Sequence, residues 1–286
     1  MKLSANLKNA SRAALQWRLL VIWLAAALLP TLLLALPMWS TLSGILSHSV
    51  HAPQLAKSLD VLALADLMGE FKRNNLALQA GGIGAAALAL LLSPLLTGVI
   101  ASAGRAQETA TFRQLFAGGV SEYPRMFRML LWAVVPLGLA LALGGAVADS
   151  VQDIAEKASL ESTADAWSLC ANVLGVLLLA LANLTLDAGR AQLAIDRRRT
   201  SAVKAWWSGL KLLLRRPAAM FGSYLLLTVS GLLLAGLFAL ARFNVEASNG
   251  LLLVAGFLLA QLVVLAMAWM RAARLFALMT LSATNR

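Results

Sequence analysis

A chain of 286 residues in which 60% are hydrophobic and only 13% are charged departs from soluble globular usage, where charged residues make up about 25%. A mean hydropathy of +0.78 makes lipid, rather than water, the expected solvent for most of it. The net charge of +11 raises the question of nucleic acid, but the basic residues sit between apolar runs rather than over a folded polar surface, so no nucleic-acid partner is expected.

The N-terminal arm carries Lys2, Lys8, Arg12 and Arg18 ahead of the apolar stretch Leu19–Trp39. That stretch exceeds the ~7–15 residues of a signal h-region and is not followed by an A-x-A-like site, so it reads as a retained first span. Crossing a hydrocarbon core of about 30 Å takes about 20 apolar residues as a helix, which satisfies its own backbone groups where lipid offers no partner. Leu76–Ala101, Met129–Val147, Trp167–Leu186, Ala218–Ala241 and Gly250–Trp269 meet the same criterion. None of the six stretches contains Asp, Glu, Lys or Arg, each of which costs roughly 2.5–3.5 kcal/mol at mid-helix. The expected fold class is therefore all-α, a polytopic transmembrane bundle of six helices in a single integral membrane domain covering residues 1–286.

Charge sets the expected orientation. One set of connections holds Arg105, Arg113, Arg125 and Arg128 after the second span, and Arg190, Arg197, Arg198, Arg199, Lys204, Lys211, Arg215 and Arg216 after the fourth. With the N-terminal arm and Arg271, Arg274 and Arg286 of the tail, this side has nineteen of the 24 basic residues. The opposite side has Lys57, Lys72, Arg73, Lys157 and Arg242 and nine of the 13 acidic residues. By the positive-inside rule the basic side is cytoplasmic, and an even number of spans places both termini there, in a bacterial inner membrane. Trp17, Trp206, Trp207 and Trp269 fall at inner boundaries and Trp39 and Trp167 at outer ones, where an indole has both apolar and wet surroundings.

Self-comparison exposes an internal repeat. Gly104-Arg105-Ala106-Gln107, after the second span, recurs as Gly189-Arg190-Ala191-Gln192 after the fourth and is echoed by Met270-Arg271-Ala272-Ala273 after the sixth; the arginines are 85 and 81 residues apart. A near-constant period points to repeated units. The units run about 1–107, 108–192 and 193–274, with a short tail 275–286. Each consists of an amphipathic interfacial elbow, an outward span, an external loop and an inward span. Pro124-Arg125-Met126-Phe127 and Pro217-Ala218-Ala219-Met220-Phe221 lead from elbows into the third and fifth spans. In the first elbow Leu3, Leu7, Ala10, Ala14 and Trp17 share one face, with Lys2, Lys8 and Arg12 off it. In the third, Val203, Trp206, Trp207, Leu210 and Leu214 recur at helical spacing, with Ser201, Lys204, Ser208, Lys211 and Arg215 on the other faces. That pattern describes a helix lying in the inner interface. Arg197, Arg198, Arg199, Lys204, Trp206, Trp207, Lys211, Arg215 and Arg216 are accordingly the candidate contacts to anionic phospholipid or a partner, each basic residue gaining about 1 kcal/mol near an anionic surface. Pro217 suits the first turn of the fifth span.

Small residues serve close helix approach: Gly81, Gly82, Gly84, Ala85 to Ala87, Gly138 with Ala142, Gly175, Gly231 and Gly236. Pro30, Pro94 and Pro136 lie within spans and predict kinks.

Reactive chemistry is sparse. His48 and His51 could meet a metal on one turn, with Asp60 or Asp66 nearby, but a zinc site needs further ligands and a surface loop is favoured. The segment Leu59–Phe71 reads as a short amphipathic cap on the outer face. Cys170, a single cysteine, can form neither an internal disulfide nor a cysteine-based metal site. Asp187 and Arg190 read as a local i, i+3 pair at the inner end of the fourth span. Ser93 and Thr97, Asn172, Asn183 and Thr185, Ser223, Thr228 and Ser230, and Gln261 are uncharged polar groups that either line a pathway or bridge helices, and bridging is favoured. Coupled carriers usually keep an ionisable group inside the bundle, and none lies in these spans. No H-E-x-x-H, Walker A, G-x-S-x-G or paired-aspartate motif is present. Neither a cofactor nor catalysis is expected.

Leu115-Phe116-Ala117-Gly118-Gly119 followed by Tyr123-Pro124-Arg125-Met126-Phe127, with Leu64-Ala65-Asp66-Leu67 earlier, resembles a loose group of bacterial six-pass inner-membrane proteins without an assigned activity. The elbow-to-span pattern of Gly209 to Phe221 is similar to membrane domains fused to some bacterial glycerophosphodiesterases, whose catalytic domain this sequence lacks. The resemblance implies a membrane scaffold and carries over no functional residue. The expectation is a permease-like or envelope accessory component. The alternatives are a structural or assembly partner of another membrane protein and, last, a lipid-acting enzyme.

Overall fold

The structure is a computed structural model that describes residues 3–46, 75–106, 109–155, 161–245 and 249–284. His48, His51 and the segment 59–71 lie outside the described residues. All regular structure among the described residues is helical: α1 Leu3–Ala14, α2 Trp17–Leu46, α3 Asn75–Arg105, α4 Phe112–Ala155, α5 Glu161–Ile195, α6 Ala202–Arg215, α7 Pro217–Phe243 and α8 Gly250–Ala283. Six of these, all but α1 and α6, are long and apolar enough to cross a membrane. Their apolar faces stay exposed, Val134, Leu139, Leu225 and Leu253 among them, as lipid-facing side chains would be.

The helices outrun the apolar stretches read from sequence. At a rise of about 1.5 Å per residue, α4 with its 44 residues is about 66 Å long, twice the hydrocarbon core. The sequence places a break near Pro124, between an elbow and the third span; instead Phe112–Ala155 is one continuous helix with Pro124 and Pro136 inside it. Pro30 and Pro37 likewise lie within α2 and Pro94 within α3.

The chain divides into two compact units, one of residues 1–16, 94–230 and 269–286, the other of 17–93 and 231–268. In the second unit, glycines of α3 meet α2. A Cβ on Gly81 would lie 2.8 Å from Pro37 Cγ, and one on Gly84 would lie 3.1 Å from Leu33 Cδ2. Gly82 and Gly236 have nothing within 4 Å of such a Cβ, so the close-approach role inferred for them does not hold. The same is true, in the first unit, of Gly138, whereas Gly175 lies at a close approach of α4 and α5, its Cα 3.4 Å from where a Cβ on Gly144 would stand.

The first unit has its core where three helix ends meet: residues 96–103 of α3, 184–194 of α5 and 270–281 of α8, most of them buried. Arg105 donates to Ala194 O across α3 and α5, and Arg274 faces Asp187 across α8 and α5. Gly104 accommodates Phe276 and Met279 across α3 and α8. Against these ends lie three segments. α1 rests on α8, with Asn6 Nδ2 donating to Ala277 O and Trp269 Nε1 to Ser11 O. The start of α4 rests on α3, where a Cβ on Gly98 would come 2.8 Å from Gly119 O. α6 rests on α5, where a Cβ on Gly209 would come 2.7 Å from Ala188 C and Gly189 N.

Local sequence explains the last two. Thr111 and Gln114 cap α4 reciprocally, Gln114 Oε1 accepting from Thr111 N at 2.8 Å and Thr111 Oγ1 from Gln114 N at 3.4 Å. Ser201 caps α6 through Lys204 N. Four residues beyond each cap stands a fully buried Leu115 or Ala205, and eight beyond it a buried Gly119 or Gly209. That i, i+4, i+8 stripe of compact side chains is one helix face, and it lets the backbones close.

Candidate functional site: a buried arginine and carboxylate cluster

The C-terminal end of α5 leaves carbonyls without intrahelical partners. Two arginines from other helices supply donors. Arg105 Nη1 donates to Ala194 O at 2.6 Å, and Arg125 Nη2 donates to Leu193 O at 2.7 Å and to Asp196 O. Arg125 also reaches Arg199 O through Nε at 3.1 Å and Nη2 at 2.9 Å, so one guanidinium holds the α5–α6 connection in place. Arg128 adds a longer bond to Thr200 O, 3.3 Å. Cations at a helix C-terminus oppose the negative end of its dipole.

Glu122 completes this layer. Its side chain is 3% exposed and takes Arg105 Nη2 at 2.7 Å on Oε1 and Arg125 Nη1 on Oε2. Arg197, mostly exposed, lies 3.6 Å from Oε1. The carboxylate thus offsets two part-buried guanidiniums that are tied to backbone carbonyls. Sequence reading passed over Glu122; its only local signal is the i, i+3 spacing to Arg125, while the partner from α3 is 17 residues away.

A second layer centres on Asp187. The expected i, i+3 pair is present, Arg190 Nη1 to Asp187 Oδ1 at 2.6 Å. Added to it is Arg274 from α8, 4.0 Å from Oδ2. Arg274 also donates to Tyr224 Oη at 3.0 Å and stacks its guanidinium 4.7 Å from that ring's centroid. Asp187 and Arg274 were read separately from sequence, and only the fold joins them.

The remaining candidates separate into three groups. Lys204, Trp207, Lys211, Arg215, Arg216, Arg197 and Arg198 are exposed. Trp206 is drawn inward, donating from Nε1 to Thr185 Oγ1 at 3.1 Å and meeting Trp132 edge-on, while Arg199 donates to Ser208 Oγ at 2.6 Å. The uncharged polar groups bond back to their own helix, Asn183 to Leu179 O, Thr185 to Ala182 O, Ser223 to Ala219 O, Thr228 to Tyr224 O and Ser230 to Leu227 O, and two of them also bridge helices, Thr185 accepting from Trp206 Nε1 and Thr228 from Arg274 Nη1 at 3.4 Å. Thr97 is buried, Ser93 and Gln261 half-buried and Asn172 exposed. Among the described residues no three His, Cys, Asp or Glu side chains come together as a metal site.

Six candidate spans define the class as a multi-pass membrane protein. Comparison with protein-family models, curated proteins and solved structures finds no match.

Proposed function

We propose that this is a non-enzymatic, permease-like or envelope accessory protein of a bacterial inner membrane, with both termini cytoplasmic and its basic elbow helices resting on the anionic inner leaflet. The observation that carries the reading is how the basic residues are divided. Arg105, Arg125, Arg190 and Arg274 are occupied inside the fold. Lys204, Lys211, Arg215 and Arg216 remain exposed on or beside α6.

The faces of α6 agree with a helix lying at a lipid surface. Ala202, Ala205, Gly209 and Leu212 are buried against protein, whereas Val203, Trp207 and Leu214 are 46–73% exposed. At about 3.6 residues per turn, Lys204, Lys211 and Arg215 form a stripe between those two faces. An outward apolar face flanked by basic residues is the arrangement that binds an anionic interface.

A threefold repeat of elbow and hairpin is supported by the cyclic order of contacts. α1 lies on α8, the start of α4 on α3, and α6 on α5, so each elbow sits on the inward helix that precedes it when the chain is read as a ring.

The test is partition of the purified protein's lipid shell by native mass spectrometry. Retention of phosphatidylglycerol over phosphatidylcholine, reduced when Lys204, Lys211, Arg215 and Arg216 are all replaced by Gln, is the expected result. Equal retention of the two lipids by the unaltered protein refutes the reading.

A further inference from the structure

We infer that the cleft beside α6 is a site for a phosphate group. It has a volume of about 250 Å³ and is lined by Gln192, Arg199, Ser208, Lys211, Arg215 and Ser282, all within the first unit. The inference rests on α6 facing anions, and sharpens that reading from a diffuse surface to one saturable site.

Three observations carry it. The cleft concentrates cationic donors: Arg199, Lys211 and Arg215, with Asp196, 3.8 Å from Arg199, as the one acidic group in an ion pair with them among the described residues. Next, Ser282 is 3% exposed and its Oγ is buried without a hydrogen-bond partner. A hydroxyl left unsatisfied there is destabilising unless something occupies the cleft. Finally, the donors are held in place. Ser208 Oγ accepts from Arg199 Nη1 and donates to Lys204 O at 2.8 Å, and Lys211 Nζ lies 5.8 Å from the centroid of the Trp207 ring.

Two further clefts of this unit lack that combination. One of about 510 Å³ presents Arg105 and Arg197, but Glu122 lies against both. Another, of about 480 Å³, has Arg105 alone as its charged residue. Of these three clefts, the one beside α6 keeps an excess of positive charge.

Phosphate suits the donor set better than carboxylate. Its three or four oxygens can accept from the two guanidiniums, ammonium, amide and hydroxyl that line the cleft from α5, the α5–α6 connection, α6 and α8, whereas a carboxylate offers two. The volume falls below the about 300–1,000 Å³ of pockets that enclose a drug-sized molecule, so the cleft takes the phosphate with its nearest atoms and leaves any acyl chains outside.

The experiment is isothermal titration of the full chain in neutral maltoside micelles, with dihexanoyl phosphatidic acid and with inorganic phosphate. Saturable one-site binding is expected, weakened about tenfold or more by the paired change Lys211→Gln and Arg215→Gln. Ser282→Ala is expected to weaken binding while leaving thermal stability unchanged or raised, since it removes an unsatisfied hydroxyl. If inorganic phosphate competes with the lipid, the free ion is a sufficient ligand; if only the lipid binds, the source is a headgroup. Absence of saturable binding by either probe overturns the inference. So does an equal loss on changing Lys204→Gln and Arg216→Gln, which lie outside the cleft; that outcome would leave the diffuse lipid reading standing. Equal retention of anionic and zwitterionic lipid, by contrast, refutes the diffuse reading and leaves the cleft to be judged on the titration.

Discussion

Replacing Glu122 by Gln removes one negative charge from a position where two guanidiniums converge. The side chain is 3% exposed, with Arg105 21% and Arg125 11% exposed. Gln keeps the shape but turns two bonds between opposite charges, worth about 1.5–3 kcal/mol each, into one weaker bond from a guanidinium to an amide oxygen and one clash of donors. Breaking a buried pair costs about 3–5 kcal/mol because the remaining charge is left uncompensated. Here the guanidiniums keep the carbonyls of Leu193, Ala194, Asp196 and Arg199, so the lower end applies, about 3 kcal/mol. At about 2–4 °C per kcal/mol for a chain of this order, Tm should fall by roughly 6–12 °C. The assay is fluorescence-detected size exclusion after heating in detergent. Arg197→Gln serves as the control: at 69% exposure and 3.6 Å from Glu122 it is a screened surface pair worth at most about 1 kcal/mol. A Glu122→Gln protein melting within about 2 °C of the unaltered one would refute the reasoning.

Two glycine substitutions should move in opposite directions. Gly209→Ala places a Cβ against the backbone of Ala188 and Gly189, which no rotamer can relieve, and should lower stability by about 1–3 kcal/mol. Gly138→Ala meets open space and should be neutral or gain up to about 1 kcal/mol from helix propensity; both are read in the same heating assay. Ser201→Ala deletes the cap on Lys204 N and should cost about 1 kcal/mol. Its signature is faster amide exchange confined to the first turn of α6, and unchanged exchange there would count against the capping role.

The six apolar helices were legible because hydrocarbon thickness imposes a length that few other structures share. The amphipathic stretch from Val203 to Leu214 was legible as well, and its helix runs from Ala202 to Arg215. Helix ends were not, since a helix need not stop where lipid does: α3 and α5 continue past Ala101 and Leu186 through their arginines. Nor does periodicity say which face turns inward. In α6 Val203, Trp207 and Leu214 stay outside, and the unremarked stripe of Ala202, Ala205 and Gly209 makes the protein contact together with Leu212 and Leu213. The roles of Glu122, Arg125 and Ser282 were missed for one reason. Arg125 acts on carbonyls 68–74 residues away, and Ser282 lines a cleft with residues of α5 and α6, relations that no local spacing encodes.

The most direct test of the account is sidedness. In a Cys170→Ser background, single cysteines replace Ser162 or Lys211, and a membrane-impermeant maleimide is added to intact spheroplasts. The account predicts labelling at position 162 in intact spheroplasts, and at 211 only after permeabilisation. The reverse pattern, or equal labelling of both in intact spheroplasts, would contradict it.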